Sequence, residues 1–185
     1  VALDAAVGPW ATPQQTLRAT LADCTYFRTW AGAANQAAAL AKIHNFDTPE
    51  PADDADAHAL SYLQTLRPIA VVFTEPQQGL VLTNDSGGAS FGYHARGNLV
   101  LCFENDITSD QAANLPELDR TIQNAIGRIV QSGDTDNPGL LELAGQAGYL
   151  ATREVAFYGW FRNDVTEASA AGDYYRVYLD IAWGR

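Results

Sequence analysis

Two stretches near the C-terminal end alternate with a period of two, and no other feature of the chain constrains its fold as tightly. Val155, Phe157, Gly159 and Phe161 interleave with Ala156, Tyr158 and Trp160. After a loop at 163–172, Tyr175, Val177, Leu179, Ile181 and Trp183 interleave with Arg176, Tyr178 and Asp180. Successive side chains of a strand point to opposite faces, so each stretch reads as a strand with one apolar face. Two such strands in succession form an antiparallel hairpin, and the apolar face needs a helix to lie on.

A helix of the right kind precedes them. After Leu115-Pro116, the residues Leu118, Ile122, Ala125, Ile126, Ile129 and Val130 recur at helical spacing, with charged and amide side chains on the other faces and Gly133 as the stop. Thr12-Pro13-Gln14-Gln15 has the pattern of a capped helix start, and Leu17, Leu21 and Cys24 mark one face of a helix running to Asp23. Tyr26, Phe27 and Trp30 predict a further packed turn closed by Gly32. Ala33–Lys42 is expected to be helical because alanine has the highest helix propensity. Ile43–Phe46 reads as a short extended piece.

Between these helices lie the remaining strands. Ile69–Thr74 is rich in β-branched residues and begins after Pro68. Asn98–Glu104 is almost continuously apolar, which implies burial on both faces. Glu75–Gly79 and Asn84–Gly88 supply turns, with paired strands expected between and after them. Asn137-Pro138-Gly139 leads into a short helix at 140–144. The expected fold is α+β: a single antiparallel or mixed sheet with helices packed mainly on one face and a C-terminal β-hairpin. At 185 residues the chain fits one domain, 1–185, with an apolar N-terminal arm (1–11) and an acidic loop (48–58).

Charge narrows the functions open to such a domain. Asp and Glu outnumber Lys and Arg 22 to 11, Lys42 is the only lysine, and the arginines are scattered from Arg18 to Arg185. Binding a nucleic-acid backbone requires clustered positive charge, which this chain lacks. Its apolar runs are too short to span a membrane. Val1 reads as the residue exposed by initiator Met removal, and no signal peptide is expected. Cys24 and Cys102 belong to no C-x-x-C pair, and Cys102 lies in the apolar run Leu99–Phe103, so both read as small hydrophobes.

No constellation of catalytic residues emerges. The glycine-rich stretch 87–92 lacks the Lys-Ser/Thr of a phosphate cradle, and there is no G-x-S-x-G elbow. His44, His58 and His94 sit in separate segments. Asp53, Asp54 and Asp56, followed by His58, are the best metal candidates, but they lack the glycine turn and closing glutamate of a calcium loop and read as a solvated acidic loop. The expectation is therefore no catalytic, metal or cofactor site.

The aromatics point to assembly instead. Tyr158, Trp160, Tyr174 and Tyr178 fall on the opposite parity from Val177 and Leu179. Either a second layer within the chain covers them, or a neighbouring subunit does, since interfaces are enriched in Tyr and Trp. With Trp10 of the arm they form the candidate subunit interface.

Several segments together resemble the tail terminator (tail completion) proteins of tailed-phage necks. They are Phe27-Arg28-Thr29-Trp30-Ala31-Gly32-Ala33-Ala34, Ala41-Lys42-Ile43-His44, Arg67-Pro68-Ile69-Ala70-Val71-Val72 and Tyr175-Arg176-Val177-Tyr178-Leu179-Asp180-Ile181. The resemblance implies a non-enzymatic virion subunit, assembled in the host cytoplasm into a homohexameric ring. Such a ring caps the tail tube and contacts the tail tube protein and the head–tail connector or stopper, and DNA passes through it unbound. The acidic loop and the loop at 163–172 exceed what a minimal terminator needs. The alternatives are another head–tail adaptor or stopper, or a cytoplasmic small-ligand-binding or hydrolytic domain.

Overall fold

A computed structural model of the chain describes residues 11–45, 66–74, 81–85, 92–131, 133–134, 137–140, 151–163 and 174–184. Three helices come first: α1 (Ala11–Asp23), α2 (Thr25–Ala31) and α3 (Gln36–Leu40). Strands β1 (Ile43–Asn45), β2 (Ile69–Thr74), β3 (Val81–Asp85) and β4 (Gly92–Asp106) follow. Then come α4 (Ser109–Ala113), α5 (Leu115–Gln131) and the small pair β5 (Gly133–Asp134) and β6 (Asn137–Pro138). The chain closes with β7 (Ala151–Asn163) and β8 (Tyr174–Gly184).

Six strands form one mixed sheet in the order β1-β2-β4-β8-β7, with β3 also paired to β4. Among the described residues only the β1–β2 pair is parallel. The expected α+β architecture with its C-terminal hairpin is therefore present. Directly opposed residues of paired strands share a face, so the register defines rows across the sheet. One row runs Val72, Leu101, Leu179, Phe157, and the next runs Ala70, Phe103, Val177, Trp160.

The helices cover the face that carries these rows. Leu17 and Leu21 of α1, Phe27 of α2, Ala39 of α3, and Leu118, Ile122, Ile126 and Ile129 of α5 join Leu101, Phe103, Val177 and Leu179 in one buried cluster. Aromatic contacts tie α2 to the sheet: Trp30 meets Phe103 edge-on at 5.2 Å, and its Nε1–H donates to the Tyr175 hydroxyl at 2.9 Å. The central strand is buried on its other face as well, at Val100, Cys102 and Glu104. The apolar run at 98–104 implied this double burial.

Several boundaries differ from the sequence reading. The helix expected over Ala33–Lys42 is shortened to α3, because Asn35 caps it by accepting from the Ala38 N–H and the chain must turn at Ala41 to enter β1. Thr12 lies inside α1 and not ahead of it. Asn84 and Asp85 belong to β3 and not to a turn. Helix α4 was not anticipated, although Thr108 and Gln111 form a reciprocal capping box that the sequence displays. Ala11, the last residue of the expected arm (1–11), opens α1 instead, while residues 1–10 of the arm, the acidic loop at 48–58, the turn at 75–79 and residues 141–144 of the expected short helix lie outside the described residues.

The largest correction concerns parity in β7. Register shifts occur between Thr152 and Glu154 and between Phe157 and Trp160, and the second contains Gly159 at φ 95°. A bulge inserts one residue and reverses the parity beyond it. Trp160 consequently pairs with Val177, so it joins the Val177 row and does not oppose it.

Close approach fixes one glycine. A Cβ on Gly97 would lie 2.9 Å from Cζ2 and 3.2 Å from Cε2 of Trp183, a rigid ring buried against the core. Gly97→Ala is expected to cost roughly 1–3 kcal/mol through overpacking. Gly127→Ala in α5 meets nothing within 4 Å and is expected to gain about 1 kcal/mol of helix propensity. Thermal denaturation should move the two midpoints in opposite directions.

Candidate functional site

Two features stand out from the scaffold, one on each face of the sheet. The first is an ion cluster on the face away from the helix layer. Glu104, in β4, receives the Arg67 Nε–H at 3.3 Å and the Arg176 Nε–H at 2.7 Å, and Arg176 Nη2 also pairs with it. Arg67 Nη1 reaches Asp106 at 3.0 Å. The side chains of Arg67 and Glu104 are 1% and 4% exposed, those of Arg176 and Asp106 31% and 59%. Two guanidiniums and two carboxylates balance in charge, which offsets part of the cost of burying the inner pair.

Tyrosines line this cluster. The Arg67 guanidinium lies 3.6 Å from the centroid of the Tyr174 ring, and Arg176 donates to the Tyr178 hydroxyl at 3.3 Å. Tyr174 is 3% exposed, so most of its ring is used within the chain and little is left for a second subunit. Tyr178 is half-buried beside Arg176. Of the other proposed interface residues, Tyr158 lies within the β7 bulge, Trp160 pairs with Val177, and Trp10 falls outside the described residues, as do Asp53, Asp54 and Asp56. The structure thus brings Tyr174 and Tyr178 together around an ion cluster that aromatic counting alone misses. The signal was there: Glu104 is a carboxylate at the end of a strand that reads as buried on both faces, and such a charge requires a cationic partner.

Burial and charge set the titration of this face. Burial would lower the Arg176 pKa, but the Glu104 carboxylate outweighs it by charge and hydrogen bond and holds it above its ordinary value. Burial, reinforced by Glu104 and opposed by Arg176, pushes the Cys102 thiol up to about 12. Burial likewise raises Tyr178. Cys102 and Cys24 are both buried free thiols. Among the described residues, no group of three His, Cys, Asp or Glu side chains is placed to hold a metal ion. No described helix is long and apolar enough to cross a membrane.

The second feature is a cleft of about 360 Å³ between α5 and the hairpin. Ile126, Gly127 and Val130 line it from the helix, and Val155, Phe157 and Leu179 from the sheet. Leu179 is sealed, while Phe157, its neighbour in the same row, is 45% exposed.

No protein-family model and no curated protein matches the chain.

Breaking the ion cluster should be costly. Glu104→Gln leaves the buried Arg67 guanidinium with only the exposed carboxylate of Asp106 and strips Arg176 of its partner, and a loss of roughly 3 kcal/mol is expected in urea denaturation. Alkaline titration probes the same face. The folded thiol of Cys102 holds its proton up to about 12, whereas the unfolded one releases it near its ordinary value of 9.0. The native state therefore binds more protons in that window, and stability falls as pH rises, by about 1.4 kcal/mol per unit for this group. Cys102→Ala should flatten that slope.

Proposed function

We propose that this chain is a structural subunit of a tailed-phage neck, a tail terminator whose copies form a ring that caps the tail tube and joins it to the head connector. The observation that supports this reading most is the convergence of the segments that resemble the terminator family. Phe27–Ala31 lies on α2, Ile43-His44 on β1, Ile69–Val72 on β2 and Tyr175–Ile181 on β8. These elements contribute to the same sheet–helix core.

The charge suits a conduit. Six copies at a formal −11 each would total six times −11, or −66. Phosphates passing such a wall find no counter-charge and gain nothing by stopping. A second reading, a domain that binds a small apolar ligand, is favoured by the cleft beside Phe157, whose volume falls in the range of ligand pockets.

Negative-stain microscopy separates the two, since a neck protein is expected to form rings and a small-ligand-binding domain is not. Titration with duplex DNA at low salt should show no binding, whereas non-specific DNA binders reach dissociation constants of about 10⁻⁴ to 10⁻⁶ M. Micromolar, salt-sensitive binding would defeat the conduit reading. Deleting the gene from the phage should leave filled heads and unjoined tails of irregular length, and normal virions would reject the terminator assignment.

A further inference from the structure

We draw no further inference here: the strongest candidate, the apolar cleft between α5 and the β7–β8 hairpin beside Phe157, carries nothing because nothing among the described residues shows what covers it.

Discussion

Strands β4 and β8 lie at the centre of the sheet, and β4 is covered on both faces from Leu99 to Glu104. That double burial is the constraint on which the other features depend. The face of Leu99, Leu101 and Phe103 is solved by hydrophobic packing, because four helices present apolar stripes to it. The opposite face cannot be solved the same way, since it contains Glu104. A carboxylate there requires neutralisation, and two arginines from the flanking strand segments provide it. Arg67 enters just ahead of β2 and Arg176 sits on β8, so one buried charge ties together the three strands at the middle of the sheet. The ion pairs lose hydration that their mutual attraction largely offsets, so their main contribution is to penalise any register in which Glu104 loses a partner.

The helix layer has a limit that follows from its geometry. Helix α5 is one amphipathic stripe about as wide as two strands, with Leu118, Ile122, Ile126 and Ile129 pointing inward. A sheet whose order ends β4-β8-β7 extends past that stripe, and the outermost row of the hairpin meets the helix only at its margin. Phe157 is exposed for this reason, not through a lapse in alternation: its partner Leu179 is fully covered one strand inward.

Much of this was legible in the residues. Periods of two and of 3.6 placed the hairpin and α5, because each pattern extends over enough residues to exclude the other, and β-branched residues after Pro68 placed β2. Ala33–Lys42 misled because propensity is a local preference, while the turn into β1 is imposed by the parallel pairing of Ile43 with Ala70. Trp160 misled for a different reason. Parity counting assumes an unbroken pleat, and a bulge at Gly159 breaks it without altering the alternation of residue types. The ion cluster was the least legible feature, since Arg67, Glu104 and Arg176 are far apart in sequence and only sheet order brings them together. Glu104 signalled a need for a partner but not which arginine would meet it.

The irregularity of β7 has a consequence for crowding. The two outer strands of the sheet path are β1, three residues long, and β7, interrupted twice in register. Neither offers the long, flat ladder of amide groups on which a foreign strand can template itself, the route by which exposed sheets run on into fibrils. A neighbour approaching either of these two edges is held by side chains at discrete places, and such places saturate.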